Sequence, residues 1–428
     1  MKDAQIISIG DELLIGDTIN TNAAVIGSFL SDLGFSVKGV QVLPDSREPV
    51  YHAVRHSLET YPLTITTGGL GPTHDDITKR VVAELFESSW VRDENVLEHI
   101  ARMFKERGYK LGEVNRQQAD VPDVSEVLFN KKGTAPGLWF KKNNHFLAIL
   151  PGVPHEMAYL LENGVKEKIR ENFPVEGVRI SEYYKSAGVP ESELSGRVGD
   201  LSRYIGNGVD VAYLPHAGGV NIRISAHGSN GYIAGEKLKA LQTTLRDKVG
   251  NVIYARGRES QLAEVVGGIL DERNLTIAVA ESCTGGLLAN KITDIPGCAS
   301  YMKGSITAYC NEVKIKLLNV KPSALEKHGA VSKLTALQMA EGVAKKLGSD
   351  IGVSTTGIAG PGGGTPEKPV GLVWMGFWIM GDHFALRGNF SEDRLINKER
   401  TATVVLETLR RYFNQIDEMP YHLKPQRL

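Results

Sequence analysis

The stretch Thr276-Ile277-Ala278-Val279-Ala280-Glu281-Ser282-Cys283-Thr284-Gly285-Gly286 decides the fold of the last third of this 428-residue chain. Residues 276–280 read as an apolar strand and a helix begins at about Leu287, so a hydroxyl, a thiol and a second hydroxyl fall on the turn between them. A tight glycine turn between strand and helix gathers backbone N–H groups beside a possible nucleophile, a layout suited to an anionic substrate. The plainer alternative is that Ser282 or Thr284 only caps the helix and the glycines only turn the chain. A second glycine-rich strand exit, Thr355-Thr356-Gly357-Ile358-Ala359-Gly360-Pro361-Gly362-Gly363-Gly364, favours the site.

Outward from this turn, a helical period (Leu262, Val265, Val266, Ile269, Leu270) precedes the strand. A strand at 301–309, a helix at 312–318, a long helix at 335–347 capped by Ser332, strands at 351–355, 372–380 and 383–390, and a last helix to Phe413 follow it. This predicts an α/β domain. Residues 4–170 alternate in the same way: strands at 5–10, 36–43, 63–67 and 146–150, with helices at 22–33 and 47–60. That alternation predicts a parallel sheet with helices on both faces. Between them, residues 175–255 read as a small α+β unit. The expected boundaries are 1–172, 173–256 and 257–415, with 416–428 a loose tail.

Composition is that of a globular protein, 42% hydrophobic and 23% charged, with a formal net charge of −1 and no long basic block. The N-terminal Ile6-Ile7-Ser8-Ile9 run breaks at Asp11-Glu12 before a signal-peptide core could form, and no stretch approaches the roughly 18 apolar residues of a membrane span. A cytoplasmic protein without a membrane partner is expected. Its three cysteines (Cys283, Cys298, Cys310) lack metal-ligand spacing and read as free thiols.

Strand C-termini of a parallel sheet share one edge, where ligands bind. Asp11 and Glu12, Asp45, the Gly68-to-Asp76 loop and Pro151-Gly152 would therefore face one cleft. Gly68, Gly69 and Gly71 would let backbone approach a phosphate, and Asp75 and Asp76 could hold a hard divalent cation against a diphosphate. The alternative reading of Asp76-Ile77-Thr78 is an acidic helix start. Gly133-Thr134-Ala135-Pro136-Gly137 is a further candidate phosphate loop.

These motifs, with Gly10-Asp11-Glu12-Leu13-Leu14, the run from Thr67 to Thr78, and Leu150-Pro151-Gly152-Val153-Pro154-His155-Glu156-Met157, resemble the molybdopterin-binding-type domain of the CinA family, the competence/damage-inducible protein A family. The resemblance spans essentially the whole chain, because the Ser282 and Gly360 motifs are similar to that family's nicotinamide mononucleotide deamidase domain. It implies a KH-like middle domain, a homodimer, and an N-terminal ADP-ribose pyrophosphatase dependent on a divalent metal ion such as Mg or Co. The N-terminal site it implies comprises Gly10, Asp11, Gly68, Gly69, Gly71, Thr73, Gly133, Thr134, Pro151 and Gly152, with Asp11, Asp45, Asp75 and Asp76 on the metal.

For the C-terminal domain the resemblance implies a metal-free amidohydrolase converting nicotinamide mononucleotide to nicotinate mononucleotide and ammonia. Ser282 is the nucleophile, Lys314 its base, and Tyr309 and Thr356 assist. Substrate contacts fall to Glu281, Cys283, Thr284, Gly285, Gly286, Asn311, Gly357, Gly360, Gly362 and Arg394. Two positions depart from the family pattern: Glu392 replaces a glycine, and Ala299 stands where a small hydroxyl is common, with Ser300 next to it. Cys283 is the rival nucleophile. The competing function is a pterin- or nucleic-acid-binding protein with a degenerate deamidase domain. A KH clamp needs basic residues around Gly-x-x-Gly, and Gly196-Arg197-Val198-Gly199 is flanked by Glu191, Glu193 and Asp200, which argues against nucleic acid.

Overall fold

The computed structural model describes residues 2–71, 77–173 and 177–427. It divides into two compact units, Met1–Ile180 with His227–Gly235, and Ser181–Ala226 with Glu236–Leu428.

In the first unit β1 (Lys2–Ile9), β2 (Phe35–Leu43) and β3 (Leu63–Thr67) alternate with helices Thr21–Asp32 and Arg47–Thr60. A ribbon of β4 (Trp90–Arg92) and β5 (Asp120–Pro122) follows, then β6 (Glu126–Leu128), β7 (Gly137–Lys142) and β8 (His145–Leu150). The main sheet runs β2-β1-β3-β8-β7-β6. Its first four strands are parallel, and β7 and β6 add an antiparallel edge that the alternating pattern did not predict. Side chains leave a strand to alternate faces, so Ala4 and Ile6 join the layer with Ile26 and Leu30, while Ile7 and Ile9 pack with Val50 and Val54 on the other side. Both faces are thereby covered, as a parallel sheet requires. Strand order reverses between β1 and β3, which puts a switch point at Gly10 and Gly68.

The middle region is a four-stranded sheet, β10-β11-β9-β12, of β9 (Val178–Ser186), β10 (Val209–His216), β11 (Gly219–Gly228) and β12 (Ile253–Arg256), with helices Glu191–Val198 and Gly231–Val249. Its Gly-x-x-Gly lies on the end of the first helix rather than on a free loop. Gly199 is the C-cap at φ +76, and the Arg197 guanidinium is bound to both Glu193 and Glu418.

The C-terminal sheet is ordered β14-β13-β15-β16-β17-β18 and built from β13 (Ile277–Glu281), β14 (Met302–Thr307), β15 (Ile351–Gly357), β16 (Leu372–Ile379), β17 (Asp382–Asn389) and β18 (Gln426–Arg427). β14, β13 and β15 are parallel and the rest antiparallel. Ile277 and Val279 face helices Leu262–Glu272 and Arg394–Phe413, while Ala278 and Ala280 face helix Lys333–Leu347.

The expected loose tail is instead docked. β18 pairs with β17, Lys333 Nζ donates to the Arg427 carbonyl, and the Tyr421 amide donates to Gly188. A buried ion cluster adds to this: Glu407 accepts from Arg410 and Arg411, whose remaining N–H groups reach the carbonyls of Asn251, Ala187 and Glu418. Two guanidiniums on one carboxylate leave an excess charge, and those carbonyls solvate it; they come from the middle region and the tail alike. Among the described residues no helix is long and apolar enough to cross a membrane.

Candidate functional site

The parallel strands β14, β13 and β15 end at one sheet edge, which delivers Ala308, Ser282 and Gly357 together. Ser282 prolongs the ladder by donating its amide to Thr355 O at 2.9 Å, and the chain then turns through Gly285 (φ +63) and Gly286 (φ +99), conformations that favour glycine. Lys314 lies on helix Asn311–Leu318 and is 1% exposed. Its Nζ stands 3.2 Å from Ser282 Oγ and donates to the carbonyls of Ala308 at 2.7 Å and Tyr309 at 3.1 Å. Burial holds this amine below the ordinary lysine range, with the thiols of Cys310 and Cys283 pulling weakly the other way. A neutral amine has two N–H groups and one lone pair. In that form the two carbonyls take the N–H groups and leave the lone pair toward Ser282 Oγ, whereas the ammonium donates to all three oxygens.

Several predicted substrate contacts are spent on building the turn. The fully buried Glu281 carboxylate accepts the amides of Gly286 (2.9 Å), Leu288 (3.1 Å) and Ala289 (2.8 Å), so it closes the N-terminus of helix Leu287–Thr293 instead of meeting a substrate. The Gly285 amide donates to Ser282 O. Thr284 is buried with its hydroxyl 2.6 Å from that of Thr355. Cys283 belongs to the apolar core, and burial pushes its thiol up to about 12, which disfavours the thiolate that a rival nucleophile needs. Thr356 donates to Ala330 O at 2.8 Å and so keeps only acceptor capacity. Among the described residues the Cys283 amide, one residue past the serine, is matched to no carbonyl or carboxylate.

The rim is made by Arg394, whose guanidinium donates to Gly360 O at 2.9 Å and to the exposed Tyr309 hydroxyl at 3.3 Å. Gly360, at φ +95, has no room for a side chain: a Cβ would lie 2.7 Å from Val370 and 2.8 Å from Glu392 O. Asn311, Gly362 and Glu392 are exposed, and Ser300 donates to Gly297 O in its own turn. Two contributors escaped the sequence reading. Asn397, 1% exposed, donates to Ala359 O and Ser391 O and pins the glycine loop. Lys398 Nζ lies 3.7 Å from where a Cβ on Gly285 would be and forms no ion pair among the described residues. Only its spacing of four from Arg394, one face of a helix, could have signalled it.

In the first unit Asp11 and Asp45 meet reciprocally, each amide donating to the other's carboxylate (3.0 and 3.3 Å). Gly68 and Gly69 serve close packing rather than an open cradle: a Cβ on Gly68 would sit 2.0 Å from Ile9 O, one on Gly69 2.1 Å from Thr78 Oγ1, and the Gly68 amide donates to Leu150 O. Gly133 is buried under the Glu156 carboxylate, which repels rather than attracts phosphate there; Thr134 is beside it and Gly71 is exposed. Asn22, not foreseen, donates to Thr67 Oγ1 and Gly152 O, and Thr67 donates to Pro151 O. Thr73, Asp75 and Asp76 lie outside the described residues.

Three α/β modules in series, the last with a serine within reach of a buried lysine at a sheet edge, define a multidomain α/β protein with a serine–lysine site. Residues 5–171 match the probable molybdopterin binding domain, 181–255 the damage-inducible protein CinA KH domain, and 259–413 the CinA C-terminal domain. The chain belongs to the CinA family. It is 42% identical over 95% of its length to a CinA-like protein of Salinibacter ruber, covering 98% of that protein, and 40% identical over 96% to one of Chloroherpeton thalassium, covering 99%. A CinA crystal structure from Thermoplasma acidophilum matches 39% of this chain and 97% of its own at 38% identity, TM-score 0.36.

Proposed function

We propose that the C-terminal domain hydrolyses the carboxamide of nicotinamide mononucleotide to the carboxylate and ammonia. The observation that carries this reading is the 3.2 Å separation of Ser282 Oγ from a buried lysine amine held below its ordinary pKa. Lys314 takes the hydroxyl proton as Ser282 attacks the amide carbon, and returns it to the departing ammonia; water then repeats the cycle on the acyl-enzyme. The Cys283 amide, which no backbone carbonyl accepts, is the donor one residue past the nucleophile where the oxyanion would form. Lys398 and Arg394 supply positive charge for the substrate phosphate. Purified protein incubated with nicotinamide mononucleotide should release ammonia at the same rate with and without EDTA; loss of release in EDTA overturns the metal-free reading.

A second activity, divalent-metal-dependent cleavage of the ADP-ribose diphosphate, is our reading of the first unit. It is supported by the facing carboxylates of Asp11 and Asp45 at the switch-point edge. Two adjacent carboxylates suit a hard cation, and they are the described residues that would hold it. The cation would neutralise the diphosphate charge when bound. Asp45→Asn should lower that activity and leave ammonia release intact.

A further inference from the structure

Away from the Ser282 turn, the second unit contains a cavity of about 550 Å³ walled by the middle sheet on one side and the C-terminal helices on the other. The size falls within the range of small-molecule sites. Leu214, Tyr254, Leu262 and Leu406 give it an apolar lining, and its polar groups converge from both walls. Lys291 and Glu399 pair with each other at 2.7 Å across helices Leu287–Thr293 and Arg394–Phe413. Lys185, on β9, has no ion pair among the described residues, which leaves the cavity one net positive charge. Partial burial weakens its hold on that proton, with the Glu259 carboxylate pulling the other way and the Arg258 charge adding to the effect.

Two further groups, His216 and Asn221, stand side by side in the cavity wall. His216 Nδ1 accepts the Gly218 amide, so a neutral ring presents Nε2–H as a donor. Asn221 Oδ1 is buried beside the His216 ring and meets no donor at full hydrogen-bond geometry, so a ligand donor would improve on that contact.

We propose that this cavity binds an organic anion of mononucleotide size: its phosphate on Lys185 and His216, its flat ring on Tyr254 and the leucines, and one of its N–H or O–H groups on Asn221 Oδ1. Such a ligand would rest on the same two helices that close the Ser282 turn and carry Arg394 and Lys398. The site is independent of the deamidation reading, since none of its polar groups belongs to the Ser282 machinery.

The test is hydrogen–deuterium exchange of the full chain with AMP as probe, and with inorganic phosphate and adenosine as the two halves of it. AMP should saturably protect amides in 214–221, 260–263 and 403–406, and should do so at lower concentration than phosphate or adenosine. Lys185→Ala and Asn221→Leu should each weaken that protection at least tenfold while melting within the normal range of the unaltered chain. Absence of protection in these segments, protection confined to residues 1–180, or protection unchanged in both variants overturns the proposal.

Discussion

The Ser282 hydroxyl and the Lys314 amine lie 3.2 Å apart although 32 residues separate them, and the two carbonyls that grip the amine belong to Ala308 and Tyr309 at the end of the neighbouring strand β14. The pair therefore depends on strand register: β13 and β14 run in parallel with Glu281 opposite Thr307, so each strand exit presents its next residues to the other.

Removing either partner should silence the reaction without unfolding the domain. Ser282→Ala is expected to cut ammonia release at least about a thousandfold. Lys314→Met should do the same, yet its thermal midpoint at neutral pH should hold or rise, because an apolar chain of similar length ends the cost of burying an amine. A Lys314→Met protein that keeps most of its turnover would remove the lysine from the mechanism.

Deamidation should accelerate with rising pH. The base works when neutral, and burial lowers the Lys314 pKa below the ordinary 10.5, so kcat/KM should climb through a value under 10.5 and fall on the acid side. The stability sign follows from the same shift: between the folded and unfolded pKa values the unfolded chain binds more protons, so stability rises with pH across that window. A kcat/KM profile with no acid-side fall at any pH below 10.5 would contradict the assignment.

Alkylation should distinguish the thiols. With Cys283 buried and pushed up to about 12, and Cys310 exposed, iodoacetamide at mildly alkaline pH should label Cys310 and leave Cys283 untouched in the peptide mass map. Cys283→Ala should retain turnover within a few-fold.

Glu281→Ala should destabilise the C-terminal domain by roughly 2–4 kcal/mol, since three amides at a helix N-terminus lose one charged acceptor. Denaturant titration measures the loss, and turnover should fall as well because the Ser282 turn is no longer held.

Glu407→Gln should cost about 3–5 kcal/mol by leaving Arg410 and Arg411 buried without their counterion. Both guanidiniums also hold carbonyls of the middle region, so calorimetry should show the middle and C-terminal regions losing stability together.

Local pattern was sufficient for many of the elements and for the glycine turn that carries Ser282. Apolar alternation located β1, β3 and β13, and glycines at Gly285, Gly286 and Gly360 marked real turns because positive φ is a property of single residues. It could not assign the polar groups. Glu281, Thr284 and Thr356 look like ligand-binding residues in the sequence, but their partners depend on how the chain folds back, and those partners occupy the Glu281 carboxylate and the Thr284 hydroxyl and leave Thr356 only as an acceptor.

From its sequence alone this chain determined its three-part α/β layout, its family and the serine at the strand exit, since each is encoded by residues near one another. Only tertiary structure decided that Lys314 is buried against that serine, that Cys283 is buried in the core, that Asn397 and Lys398 flank the glycine loops, and that the last residues close the sheet as β18. The physical reason is that desolvation and hydrogen-bond partnership arise from what packs around a group, and packing joins segments that the linear order keeps apart.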